Sequence, residues 1–71
     1  MDYSIEKIGR NLKRLRQERH WKFSYIEKNT GISVDRLKKL ESANGIATYY
    51  ELFELSRLYD LTIDDLVFTE V

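Results

Sequence analysis

Cysteine and proline are both absent from this 71-residue chain, and histidine occurs once. Without cysteine there is no disulfide framework and no thiolate metal site. One imidazole, His20, does not make a metal site by itself. The missing thiols fit a reducing, cytoplasmic setting. Met1-Asp2-Tyr3-Ser4 lacks the basic stretch and apolar run of a secretory leader. No apolar run approaches the roughly 20 residues needed to span a bilayer, so no membrane segment is expected. There is no glycine-rich phosphate loop, no second histidine and too little chain for a large pocket. Neither an enzyme nor a bound cofactor is expected.

What remains is helical in pattern. A chain of this length makes one domain, residues 1–71, with a thin core spanning about 5–68 and about 60% of its unfolded surface buried. Ile5, Ile8, Leu12 and Leu15 recur at helical spacing and predict a first helix over 4–18. His20 stands where a helix-ending glycine is usual, and histidine tolerates the left-handed conformation better than most residues. Ser24-x-x-Glu27 has the form of a capping box and predicts a second helix over 24–30, with Lys22 as an alternative start. Val34, Leu37 and Leu40 give an inward face to a third helix over 34–41. After a loop holding Gly45, Thr48-x-x-Glu51 opens a fourth helix over 49–59, with Leu52, Leu55 and Leu58 inward. Thr62-x-x-Asp65 opens a short fifth helix carrying Ile63, Leu66 and Val67. The fold class is therefore all-α, a compact five-helix domain. Residues 68–71 read as a tail or as a segment that pairs with a partner. Trp21, Phe53 and Tyr59 are expected in the core. Phe23, Tyr25, Tyr49 and Tyr50 are hard to bury together, and Tyr49 and Tyr50 are expected at a dimer or partner interface.

Charge is balanced overall but not along the chain. Residues 1–45 carry 11 Lys/Arg against 6 Asp/Glu, and residues 46–71 carry one basic residue, Arg57, against 6 acidic ones. The basic part is suited to a polyanion, and the acidic part is expected to face away from it.

The most informative stretch is Gly31-Ile32-Ser33. Glycine can reverse the chain at positive φ, and Ser33 can cap the helix that follows. A short helix after a tight turn, with Asp35, Arg36, Lys38, Lys39 and Ser42 outward, has the physical make-up of a major-groove reader. On these segments the chain resembles the Cro/phage-repressor-type helix-turn-helix domains, the XRE family. Ile8-Gly9-Arg10-x-Leu12-x-x-Leu15-Arg16 looks like the family's opening helix, and Gly31-Ile32-Ser33 like its turn. Leu37-x-x-Leu40-Glu41 looks like the end of its recognition helix, and Leu61-Thr62-Ile63-Asp64-Asp65-Leu66 like its closing helix.

The resemblance implies a lambda-repressor-like fold and a sequence-specific transcriptional regulator of double-stranded DNA, of repressor type. It would act as a homodimer on half-sites about 34–36 Å apart. The expected DNA-binding residues are Ser33, Asp35, Arg36, Lys38, Lys39 and Ser42 at base edges and nearby phosphates. Arg10, Lys13 and Arg14 are expected on the backbone, with Asn44 in the following loop. Each also has a plainer reading: Lys38 and Lys39 as a solvated helix face, Ser33 as a cap, Asn44 as a turn residue, and Arg36 as the partner of Glu27 or Asp35. Glu41 reads as a structural carboxylate bonding across the domain.

Phe23 stands where the family has a phosphate- or base-touching glutamine, and Glu27 where it has a small residue. Asp35 adds a negative charge to the reading face. These departures favour a second reading, an antirepressor or adaptor that binds another protein through its aromatic and acidic surfaces. A third reading is an antitoxin, against which the short stretch after Phe68 counts.

Overall fold

Each helix is set by chemistry at its ends. The computed structural model describes residues 4–71 and is all-α, with no strand among them. The elements are α1 (Ile5–Glu18), α2 (Phe23–Thr30), α3 (Val34–Glu41), α4 (Tyr49–Leu58) and α5 (Ile63–Phe68). Ser4, Ser33, Thr48 and Thr62 each accept a hydrogen bond from a first-turn backbone N–H, and Thr48 and Glu51 complete a reciprocal box.

The box expected at Ser24 does not form. Lys22 is the N-cap of α2 and supplies no side-chain acceptor, while Phe23 opens the helix. Entering the helix lets the Phe23 ring lie against the core, beneath the Arg16 guanidinium. Helix α4 stops at Leu58, with Tyr59 as its C-cap.

Three helices end in one device. His20, Ala43 and Asp60 have φ of 55°, 61° and 59°. The N–H of the residue after each reaches back five positions, from Trp21 to Arg16 O, Asn44 to Lys39 O, and Leu61 to Ser56 O. Helix α2 ends at Gly31, φ 78°, whose N–H donates to Glu27 O at 2.8 Å. The Thr30 hydroxyl then secures the turn, donating to Ile26 O at 2.7 Å and accepting from Ile32 N at 3.2 Å. A valine at Gly31 must hold that positive φ, which costs a β-branched residue about 1–3 kcal/mol. We expect Gly31→Val to melt roughly 5–15 °C lower by circular dichroism. An unchanged melting temperature would refute the conformation assigned to this turn.

Helix α1 packs on α3 and α5, α2 on α3 and α4, and α4 on α5. The core gathers Ile8, Leu12 and Leu15 of α1 with Ile26, Ile32, Leu37, Leu40, Leu52, Leu55, Tyr59, Leu66 and Val67. Trp21 is half-buried, stacked on Tyr59 at 5.4 Å. Phe53, expected inside, is 47% exposed and lies on the outer side of α4. Residues 69–71 pair with α1 of the same chain. Fully buried Asn11 donates to Leu66 O (2.8 Å) and Thr69 O (2.7 Å) and accepts from Val71 N (3.3 Å). Among the described residues no helix is long and apolar enough to cross a membrane.

Candidate nucleic-acid interface

Helix α3 is anchored by Leu37 and Leu40, which are buried, and by half-buried Val34. That anchoring turns Asp35, Lys38 and Lys39 to solvent, with exposed Ser33 and Ser42 at the two ends. Ser33 acts first as a cap, accepting from Arg36 N at 3.1 Å. The Ser42 hydroxyl donates to Lys38 O at 2.9 Å and accepts from the Asn44 amide at 3.1 Å. Ser42 and Asn44 thus close the end of α3 on each other.

Arg36 departs from its expected place. It does not project from the α3 surface and does not pair with Glu27 or Asp35. Its Nε and Nη2 donate to both carboxylate oxygens of Glu51 at 2.7 and 3.1 Å, and Nη2 also donates to Ile46 O at 2.9 Å. A Cβ built on Gly45 would lie 2.7 Å from Arg36 Nη1, so the loop between α3 and α4 passes directly under the guanidinium. Such a fork fixes the angle between α3 and α4, and leaves the guanidinium committed.

The hydrogen bond from Arg36 holds the Glu51 carboxyl below its ordinary range, helped by the Thr48 backbone N–H. A carboxyl depressed in the folded state adds stability above its unfolded pKa, and that stability is lost as pH falls through the folded value. We expect Glu51→Gln to cost about 1.5–3 kcal/mol at pH 7, by the usual worth of a charged hydrogen bond. The gap between variant and parent should close as thermal melts are taken towards pH 3. A gap independent of pH would rule out the ion pair as its source.

Arg10 and Arg14 are also placed differently from the expectation. They face the chain end, with Arg10 3.6 Å and Arg14 4.0 Å from the Glu70 carboxylate, and Arg14 donates to Val71 O at 2.8 Å. The acidic half is therefore not held wholly apart from the basic half. Glu51 and Glu70 both reach into it.

Lys13 does converge on α3. With Arg16, Phe23, Lys38, Glu41 and Ser42 it lines an open cleft of about 260 Å³. Arg16 forms a bidentate pair with Glu41 at 2.7 and 3.0 Å, joining α1 to α3, and its Cζ stands 4.1 Å from the centre of the Phe23 ring. Lys38 Nζ approaches the same ring at 5.9 Å. Glu27 points to solvent and does not separate α2 from α3.

Among the described residues, all five ion pairs are made by arginine: Arg10, Arg14, Arg16, Arg36 and Arg57. Lys13, Lys38 and Lys39 have no acidic partner there. Five of the six arginines brace the fold through carboxylates, while Arg19 and these lysines have no acidic partner among the described residues.

Asn11 was not singled out from sequence, and Gly9 was named only within the opening-helix motif. Both depend on long-range contacts, although a glycine inside a helix of good helix formers is itself a signal of close approach. Tyr49, Tyr50 and Phe53 of α4 are 74%, 59% and 47% exposed, and Ile46 in the preceding loop is 67% exposed. Compared with protein-family models, curated proteins and solved structures, the chain matches none.

Proposed function

We propose that this protein binds double-stranded DNA as a transcriptional regulator of repressor type, with α3 entering the major groove. The observation that carries this reading is the exposed row on α3, Asp35, Lys38 and Lys39 between Ser33 and Ser42, with Lys13, which has no acidic partner among the described residues, across the cleft. Lysines without carboxylate partners are available to phosphates, and a helix anchored on one side can lie in a groove about 12 Å wide. Asp35 suits a cytosine amino group, and Lys39 a guanine edge or a phosphate. Arg36 acts as a brace and not as a base reader. One such helix covers little surface, so specific binding calls for a homodimer. Tyr49, Tyr50 and Phe53 offer an exposed aromatic side of α4 for it.

The same patch favours a second reading, an adaptor that kept the fold and binds another protein. A titration of mixed genomic duplex fragments at two salt concentrations separates the two. For DNA binding through Lys13, Lys38 and Lys39, log K should fall with log salt with a slope of about −0.9 per phosphate contacted, near −3 in all. The absence of any complex at low salt would overturn the DNA reading and leave the adaptor.

A further inference from the structure

Away from α3, the connection from α1 to α2 forms an open depression of about 480 Å³ lined by His20, Trp21, Lys22, Ser24, Tyr25 and Lys28. It shares no residue with the Phe23 cleft. Its floor is aromatic, with the Trp21 and Tyr25 rings centred 4.8 Å apart and inclined at 43°. Trp21 is stacked on Tyr59 and approached by the Arg19 guanidinium at 5.7 Å from its ring centre, and Tyr25 is 44% exposed. Lys22 and Lys28 stand at the rim without acidic partners among the described residues, and none of the six lining residues is acidic. The volume falls in the range of small-ligand sites, roughly 300–1,000 Å³.

A half-buried and an exposed ring side by side favour a planar apolar group, which can stack on them. Two uncompensated ammoniums favour an anion attached to that group, and Ser24 and His20 add polar contacts. We propose that this depression binds a small planar aromatic anion of the nucleoside monophosphate class, with the ring on Trp21 and Tyr25 and the phosphate between Lys22 and Lys28. The site is independent of duplex binding by α3.

Trp21 is the only tryptophan in the chain, so its indole N–H gives one signal in a ¹H–¹⁵N spectrum. Titrating the full chain with adenosine 5′-monophosphate should move that signal to saturation, with a Kd of about 1 mM or below. Adenosine alone and inorganic phosphate alone should each bind at least about tenfold more weakly, because each keeps only half of the recognition. Lys22→Glu/Lys28→Gln should lose at least about tenfold in affinity while melting as the parent does, since an acidic residue at the start of α2 favours the helix. Tyr25→Ala should weaken binding as well.

A free nucleotide and the 5′-phosphorylated end of a strand offer the same chemistry. Tighter binding of a 5′-phosphorylated dinucleotide than of the mononucleotide would support strand ends as the source, and equal binding would support the free nucleotide. No movement of the indole signal at about 10 mM, ten times a millimolar constant, overturns the proposal. So does an equal response to adenosine, or an unchanged affinity in the double variant. Nucleotide binding by a chain that forms no complex with duplex would leave this site standing and sink only the DNA reading.

Discussion

Gly9→Val should melt far below the parent. Gly9 is buried in α1 where that helix crosses the end of α3. A Cβ there would lie 2.8 Å from both Leu40 O and Glu41 O, and these are backbone atoms of a helix. A side-chain tip could swing aside, but a helical carbonyl moves only with its helix. To admit the branched side chain, α1 and α3 must separate, which opens the core between Ile8, Leu12 and Leu40 and strains the Arg16–Glu41 pair. Overpacking alone costs about 1–3 kcal/mol, and more where backbone must shift. Against this, leaving glycine in a helix interior recovers up to about 1 kcal/mol. A domain of this size has roughly 4–11 kcal/mol in total, so a net loss of this order removes a large part of its stability. Gly9→Ala should remain folded but melt lower. Far-UV circular dichroism with urea titration reads both variants, and a parent-like midpoint for Gly9→Val would disprove so close a crossing.

How much of this was legible in the sequence follows from the range of each interaction. Ser4, Ser33, Thr48 and Thr62 cap within three residues, so the local pattern identifies those helix starts. Ser24-x-x-Glu27 has the same form and misleads, because burial of Phe23 outweighs a cap worth about 1 kcal/mol. Helical periodicity finds the inward leucines but not the partners of polar side chains. Arg36 meets a carboxylate 15 positions away, and its pairing depends on the angle between α3 and α4. Arg14 meets Val71, 57 positions away, for the same kind of reason. Phe53 is apolar yet outward, since Leu52 and Leu55 already fill the buried side of α4. The basic and acidic halves were visible as composition. Which charges survive pairing was not, and apart from Arg19 that choice fell between arginine and lysine. A guanidinium fork matches a carboxylate at two points, whereas an ammonium on a flexible stem is held by none.

That division sets the largest functional effect. Replacing Lys13, Lys38 and Lys39 together by alanine should reduce duplex affinity on the order of 10²–10³-fold at 0.1 M salt. Three phosphate contacts at about 0.9 log unit each per log unit of salt give this factor. The salt slope should flatten towards zero, because the remaining cations of the region, Arg16 and Arg36, are already held by Glu41 and Glu51. Stability should stay close to that of the parent, as none of the three lysines makes an ion pair among the described residues and all three are exposed. The control is Arg36→Ala, which should lower the melting temperature by loosening α3 from α4. It should leave the salt slope near the parent value, since a braced guanidinium contacts no phosphate. Should Arg36→Ala instead reduce the slope by about one contact while the triple lysine variant keeps it, the assignment is reversed. Arg36 would then leave Glu51 for the DNA, and the lysines would be an ordinary solvated face.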